Sequence, residues 1–140
     1  MSLYGDIMDG LKTVLEANVP GLRVYDYPPD SIQQFPAAAL VAEPLDLAVA
    51  FKGNTFTASV RVVFLLTSGD DAKGAHSLYD FFDPIQTNKS LVAAVRADRT
   101  LNGKVDDADA MRIENIGRRE LWGGWYWGFD MIIEFVKSVA

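Results

Sequence analysis

Carboxylates and aromatic rings are the functional groups that this sequence offers in number. Three aspartates stand close together after a turn, at Asp106, Asp107 and Asp109. Clustered oxygen ligands can hold Ca²⁺ or Mg²⁺, but this spacing does not match an EF-hand loop, since no glutamate follows at the required distance. A hydrated strand entrance is the favoured interpretation. Two carboxylates brought together by the fold could also serve a hydrolase, although the sequence singles out no pair.

The aromatic residues crowd near the end of the chain, at Trp122, Trp125, Tyr126 and Trp127, with glycines between and beside them. Such a group can stack sugars or nucleobases, and Trp and Tyr also anchor subunit interfaces. Strand alternation places Trp125 and Trp127 on the inward face, which predicts that these two are core residues. Trp122 and Tyr126 lie off that face and are therefore the better interface candidates.

Composition and missing motifs exclude several chemistries. The chain has one histidine and no cysteine, so one chain cannot build a metal site from nitrogen and sulfur ligands. It has no Gly-x-Gly-x-x-Gly segment, no phosphate-binding P-loop and no Gly-x-Ser-x-Gly nucleophile elbow. We therefore predict no cofactor, no metal and no catalytic residue, and we expect that the protein is not an enzyme.

Length and charge limit the class of protein further. A chain of 140 residues predicts a single domain over 1–140. Its 13 Lys and Arg against 19 Asp and Glu give a formal net charge of −6, which speaks against a sequence-specific nucleic-acid partner, because such binders need cations to displace phosphate counterions. A leader and a membrane-spanning run are not recognisable. We therefore expect a soluble protein of the cytoplasm with no membrane partner.

Hydrophobic spacing predicts the elements that must position these groups. The predicted order is a helix over 2–18, strands over 22–27, 37–42, 45–51 and 55–66, helices over 70–82 and 89–97, and strands over 105–116 and 125–136, with a hairpin tip at 52–54 and a polar loop over 117–124. Strands and helices cluster rather than alternate. This order favours an α+β fold, with a mostly antiparallel sheet on which an N-terminal helix and two central helices pack.

Three segments resemble, in the same order, the signatures of the tail-terminator (tail-completion) proteins of long-tailed bacteriophages and prophages. The first is residues 20–32, PGLRVYDYPPDSI, which a proline and an apolar strand follow. The second is residues 97–107, ADRTLNGKVDD, and the third is the closing strand over 124–135, in which Gly128 stands between aromatic residues. In order and length, the resemblance covers nearly the whole chain.

This resemblance implies structural work in a virion. Such proteins are α+β domains that assemble as a ring, typically a hexamer, on the last ring of the tail tube. The ring ends tube polymerisation and provides the surface for head–tail joining. The implied partners are further copies of the chain, the tail tube protein and a neck or head-completion protein, in a virion tail assembled in the host cytoplasm. Six copies would sum to about −36 formal charges, which would repel DNA from the bore.

A closed ring needs a heterologous interface between subunits. We expect the loops over 28–35, 48–54 and 117–124 to supply it. The candidate residues for a subunit or tube interface are Tyr27, Pro28, Pro29, Phe51, Lys52, Trp122 and Tyr126. Three alternatives stay open: a small ligand-binding module that uses the Trp122–Trp127 aromatic cluster, another neck (head–tail connector) protein, and a carboxylate-based hydrolase.

Overall fold

Within the part of the chain that the structure describes, six strands form one sheet, and the main helices pack on one face of that sheet. The computed structural model describes residues 2–138 except 28, 31, 33, 46, 69–76 and 86–88. The elements are α1 (Leu3–Asn18), β1 (Arg23–Tyr25), β2 (Ala37–Ala42), α2 (Leu47–Ala50), β3 (Phe51–Lys52), β4 (Thr55–Ser68), a 3₁₀ turn (Tyr79–Phe81), α3 (Leu91–Ala97), β5 (Asp107–Leu121) and β6 (Gly124–Ser138).

The strands lie in the order β1-β2-β4-β6-β5, and β3 pairs with the start of β4. The β1–β2 pair is parallel, and the other described pairs are antiparallel. The prediction of an α+β fold with a mostly antiparallel sheet and an N-terminal helix is thereby confirmed. No helix within the described residues is long and apolar enough to cross a membrane.

Helix α1 begins where Ser2 caps it, since the Ser2 Oγ accepts a hydrogen bond from the Gly5 N–H at 3.0 Å. Its apolar stripe is fully buried against the sheet at Ile7, Leu11 and Leu15. Gly10 lowers helix propensity by about 1 kcal/mol relative to alanine. The structure explains it, because a Cβ there would lie 2.1 Å from the Leu101 carbonyl oxygen.

Alternate residues of the two central strands face the helices, and we call this side the helix face. Phe64 of β4 and Phe129 of β6 lie here, with ring centroids 4.9 Å apart. Phe81 of the 3₁₀ turn stacks on Phe64 at 4.8 Å. The intervening residues point to the opposite side, which we call the open face; Arg61, Val63 and Asp130 are on it. The apolar core therefore lies between one side of the sheet and α1 and α3.

The weak strand predicted over 45–51 is wrong. Residues Leu47–Ala50 form a single helical turn, α2, and just Phe51–Lys52 are extended. Two causes act together. Leu and Ala are strong helix formers, and the tight turn through Gly53, at φ +61°, fixes Lys52 opposite Thr55, so the following residues pair as a short ribbon.

The polar loop predicted over 117–124 is also wrong. β5 continues to Leu121, and β6 begins at Gly124. A two-residue turn joins them through Trp122 (φ +47°) and Gly123 (φ +80°), the pair of positive φ angles that suits a tight hairpin. The charged residues before this turn made the segment resemble a loop. In the structure Arg119 donates to Asp130, and Arg118 lies over the ring of Trp125 on the neighbouring strand.

The central helices differ from the prediction in extent. Residues 77–81 are helical, ending in the 3₁₀ turn, and 69–76 of the predicted helix over 70–82 lie outside the described residues. Helix α3 begins two residues later than predicted, after Ser90, whose Oγ accepts from the Ala93 N–H at 3.2 Å.

Candidate functional site

A cluster of charged side chains occupies the middle of the open face, around the carboxylate of Asp130, which is 1% exposed. Arg61 Nη1 and Asn115 Nδ2 donate to Asp130 Oδ2 at 2.6 and 2.9 Å. Arg119 donates to both carboxylate oxygens of Asp130 through its two Nη groups. The buried carboxylate therefore ties together β4, β5 and β6.

Arg61 extends this cluster to two further carboxylates. Its Nη2 lies 2.7 Å from Glu43 Oε1 and 3.0 Å from Glu114 Oε1. Arg112 Nε in turn donates to Glu114 Oε2 at 2.7 Å. We call the whole set the Asp130 network; its members are Glu43, Arg61, Arg112, Glu114, Asn115, Arg119 and Asp130. Three guanidinium groups face three carboxylates, so the formal charges of the network cancel.

The pKa directions in this network follow from its contacts. Burial alone lowers the pKa of Arg61, but hydrogen bonds to Glu43 and Asp130 outweigh it and hold that pKa above its ordinary value. The hydrogen bond from Arg112, with a further contribution from Arg61, holds the pKa of Glu114 below its ordinary value. These groups are thus fixed in their charged forms near neutral pH, which suits a structural tie rather than proton transfer.

Two glycines make room for this arrangement. Gly117 of β5 lies opposite Gly128 of β6, between the rows that carry Arg119 and Asp130. With no side chain between them, the long Arg119 side chain can run along the sheet to the carboxylate. Gly128 has a second constraint, because a Cβ there would lie 2.1 Å from the Phe64 carbonyl oxygen.

A second apolar cluster covers one end of the open face. Its buried members come from β2, β4, β6 and the segment between β1 and β2; they are Ile32, Ala37, Val63, Leu65 and Tyr126. Half-buried Phe35 packs here with its ring 5.8 Å from that of Tyr126. Trp122 and Leu121 of the hairpin are also half-buried against this cluster. The segment before β2 thus acts as a lid over these strands.

The tip of the β5–β6 hairpin projects an aromatic surface on its other side. Trp125 is 50% exposed, and the Arg118 guanidinium carbon lies 5.0 Å from its ring centroid. The prediction of Trp125 as a core residue is therefore wrong. Strand alternation correctly predicted that Trp125 points to the helix face, but the helices do not extend over this ring. Trp127 is half-buried, and its Nε1 has no hydrogen-bond partner within the described residues.

The predicted interface residues separate into exposed, buried and undescribed positions. Tyr27 is 59% exposed, and its ring packs edge-on to Tyr25 with centroids 6.1 Å apart. Pro29 and Tyr126 are buried within the chain, so little of either side chain is available to a partner. Trp122 is half-buried in the second apolar cluster.

Three other predicted positions cannot be placed in full. Pro28 lies outside the described residues, and so do the side chains of Phe51 and Lys52, whose backbone forms β3. Among the described candidates, the structure brings Trp122 and Tyr126 into one cluster. Tyr27 adjoins it only through Tyr25, which packs against the edge of that cluster.

The aspartates at the start of β5 each have a partner in the chain. Asp107 accepts two bonds from Arg99, at 2.8 and 2.9 Å, and Asp109 accepts from Arg96 at 3.0 Å. Asp106 accepts from the Ser138 N–H at 2.7 Å. In the ranges that the structure describes, no three His, Cys, Asp or Glu side chains group in a way that could hold a metal ion.

The loop before these aspartates is organised by Asp98. Its carboxylate accepts from Thr100 Oγ1 at 2.6 Å and from the Thr100 and Asn102 N–H groups at 3.1 Å. These bonds hold Leu101 and Asn102 at positive φ and bury the Leu101 side chain. The hydrogen bond from Thr100 lowers the pKa of Asp98. The loop is therefore a rigid support, and α1 rests on it at Gly10.

Sequence reasoning missed the Asp130 network. One signal was present, because Asp130 interrupts the apolar run over 129–133, and a charge among buried side chains needs partners. The partners themselves carry no local signature, since Arg61 and Asp130 are 69 residues apart in the chain.

Comparison with known proteins adds no relative: no protein-family model matches the chain, and no curated protein matches it.

Proposed function

We propose that this protein forms a ring that caps a phage tail tube, ends tube polymerisation and provides the surface for head–tail joining. The observation that carries the proposal is the order of three segments, 20–32, 97–107 and 124–135, which resemble the signatures of tail-terminator proteins. The α+β fold agrees with the fold that the resemblance implies.

Each of the three segments has a structural role in this domain, so a fold in common with tail-terminator proteins would account for the resemblance. In the first, Gly21 turns the chain at φ +79°, and Leu22 and Val24 are buried. The second is the Asp98 loop beneath α1. The third is β6, the strand that contacts both β4 and β5 along its length. These residues therefore stabilise the domain itself. The step from a common fold to a common function is an argument by analogy.

The surface also supports an assembling subunit. Among the described residues, seven large hydrophobic side chains are at least half exposed; they are Tyr27, Leu47, Tyr79, Ile85, Met111, Ile116 and Trp125. A net charge of −6 per chain suits a ring that lets DNA pass without holding it. The Asp130 network pairs its own charges, which suits a structural role.

Two measurements test the proposal. Native mass spectrometry over a range of protein concentrations, with negative-stain images, should show a closed ring with a central hole, either free or on tubes. Purified tail tube protein from the same phage should then polymerise to short tubes of uniform end structure when this protein is added. Tubes that grow equally long with and without it, and that carry no ring at either end, would contradict the proposal.

A ligand-binding module is the second candidate, and half-exposed Trp125 with Arg118 over its ring favours it, because this pair could stack on a flat ligand. Burial of Tyr126 removes that ring from the platform. Tryptophan fluorescence titrated with sugars and nucleobases tests this candidate. A saturable change that Trp125→Ala abolishes supports it, and an unchanged spectrum rejects it.

A further inference from the structure

An apolar groove opens along the β5 edge of the sheet, between β5, α3 and residues 82–84. Its volume is about 380 Å³, and its lining includes the apolar side chains of Phe82, Val92, Ala110, Met111 and Ile113. Met111 is the extra residue of a β-bulge and is 57% exposed at the groove. Ile85 follows the lining residue Pro84 in the sequence and is 83% exposed. This side of the molecule therefore offers an unfilled apolar surface beside a strand edge.

Two arginines flank the groove. Arg96 and Arg112 each donate through Nε to a carboxylate of their own chain, Asp109 and Glu114. Their side chains are 47% and 60% exposed, and no other hydrogen bond from their Nη groups occurs within the described residues. A guanidinium whose Nη groups have no other partner can donate hydrogen bonds to a carboxylate of a second molecule. The groove therefore suits an apolar side chain with acidic neighbours.

A segment of that chemistry lies at the other side of the sheet, where β2 leads into α2. Leu47 is 65% exposed and Leu45 is 38% exposed. Asp46 stands between the two leucines in the sequence, and the exposed Glu134 lines the same recess as Leu45. Glu43 is already paired with Arg61 and does not add to this charge. This segment is thus complementary in both polarity and charge to the groove at β5.

Sheet register places the groove and this segment at opposite ends of one row. Ala110 in the groove pairs with Ile133, Ile133 pairs with Val60, and Val60 pairs with Ala42, the last residue of β2. The row crosses four strands, a distance of about 14 Å at the usual strand spacing. β1 pairs with residues 37–39 of β2 alone, so it does not cover the end of this row.

We propose that neighbouring copies of this chain join head to tail along this row, with Leu45 and Leu47 of one copy seated in the β5 groove of the next. The inference rests on the ring proposed above and identifies its interface. Two different patches on opposite sides of a subunit form a heterologous contact, which closes into a ring when the rotation per subunit is right. Arg96 and Arg112 then face the negative charge beside Leu45 of the neighbouring copy, to which Glu134 contributes, and this charge pairing fixes the direction of the contact.

Engineered cysteines test this contact directly, since the chain has none of its own. A chain that carries both Leu47→Cys and Met111→Cys should form a ladder of disulfide-linked oligomers on mild oxidation, because a disulfide needs Cα atoms within about 7 Å. The ladder should end at the number of subunits in the ring. A mixture of the two single variants should give dimers and nothing larger.

The matched control moves one cysteine along the same strand. Ile116 is also half exposed on β5 but lies about 13 Å from Met111, because the bulges of β5 shorten this stretch to about four residues of rise. The pair Leu47→Cys with Ile116→Cys should therefore stay uncrosslinked. Dimers formed by Leu47→Cys alone would show an isologous contact and overturn the head-to-tail inference.

The experiment separates failure of this interface from failure of the ring. If rings form on tail tubes but the Leu47/Met111 pair gives no ladder, the interface is wrong and the proposed function survives. If no assembly occurs in solution or on tubes, both proposals fall.

A second variant confirms the result without disulfides. Leu47→Asp changes an exposed side chain, so its melting temperature should stay that of the parent. The protein concentration needed for assembly should rise about tenfold or more. Assembly at the parent concentration would overturn the inference.

Discussion

The two faces of the sheet bury their centres by different means. On the helix face, apolar side chains of β4 and β6 meet α1 and α3, and Phe64 and Phe129 are fully buried among other rings. On the open face, an apolar cluster fills one end beneath the segment before β2. Paired charges around Asp130 occupy the middle. The helix face is stabilised by buried apolar area. The open face is stabilised both by apolar area and by directional hydrogen bonds and ion pairs.

That difference assigns different work to each face. Apolar contacts are non-directional, and they oppose a slip of one residue because it would turn buried side chains to the other face. Bonded pairs in addition fix which atoms meet across the strands. The Asp130 carboxylate has bonds to Arg61 on β4 and to Arg119 on β5, so a slip of either strand would break them. We infer that the helix face supplies most of the stability, and that the open face adds bonded partners that reinforce the register of the three long strands.

Truncation of neighbouring residues on the two faces should show the largest effect. Phe64 and Leu65 are adjacent in β4, are 0% and 1% exposed, and point to opposite faces. Phe64→Ala should lower the free energy of unfolding by about 4 kcal/mol, because it removes a ring that two others contact. Leu65→Ala should cost about 2 to 3 kcal/mol, since a single segment covers its cluster and can collapse into the space.

Urea unfolding followed by circular dichroism measures both values. Phe64→Leu is the matched control, since it keeps an apolar side chain and should recover more than half of the loss. An equal cost for Phe64→Ala and Leu65→Ala would contradict the comparison, because it would mean that the two faces are packed alike.

Removal of the central charge of the network should have the next largest effect. Asp130→Asn keeps the size of the side chain but leaves Arg61 and Arg119 without their buried counter-charge. Breaking a fully buried pair costs about 3 to 5 kcal/mol. The arginines here are 25% and 18% exposed, so we expect about 2 kcal/mol after solvent screening.

Glu134→Gln is the control for that experiment, because Glu134 lies on the same strand and face as Asp130 but is exposed. Its cost should stay within about 0.5 kcal/mol. Equal costs for the two substitutions would show that the Asp130 network contributes nothing beyond an ordinary surface charge.

The elements that could be predicted from the sequence are those whose signals are local. The helix over 2–18 and the strands over 37–42 and 55–66 follow from periodicity, and the structure has them within two residues at each end. Alternation also gave the sides of β6 correctly. Alternation does not show which part of each face other elements cover. Trp125 is therefore exposed although it points to the same side as the core residues.

The candidate site was much less predictable. Interface residues were chosen from loops and aromatic content, and burial of Pro29 and Tyr126 depends on a segment that folds back over β4 and β6. The groove at β5 joins side chains from α3, the 82–84 segment and β5, which are separate in the chain. Such placement depends on tertiary packing, for which no local pattern exists.

Acid should weaken the support under the helix face through Asp98. The hydrogen bond from Thr100 lowers the pKa of Asp98 below its ordinary value of 3.8. Its contribution to stability is therefore complete above the unfolded value and is lost as the pH falls below about 4. Asp98→Asn should cost about 1 kcal/mol at pH 7, because it loses one or two of the three bonds that the carboxylate accepts.

Melting temperatures at pH 7 and pH 3 check this prediction. The difference between the parent and Asp98→Asn should shrink at pH 3, where the carboxylate is becoming protonated in the parent. Asp106 and Asp107 also have pKa values lowered by their hydrogen bonds, so both proteins should lose stability in acid. A gap that stays constant between the two pH values would show that Asp98 acts without its charge.

The smallest effect is expected at the hairpin tip, and it sharpens the comparison of the faces. Trp125 has the parity of the helix face but lies beyond its helices, with Arg118 over its ring. Trp125→Ala should lower stability by about 0.5 to 1 kcal/mol, the value of an exposed cation–π contact. Arg118→Ala should cost a similar amount, and the double variant little more than either. A loss as large as that of Phe64→Ala would mean that this end of the helix face is covered after all, and that the ring cannot serve as a contact for another molecule.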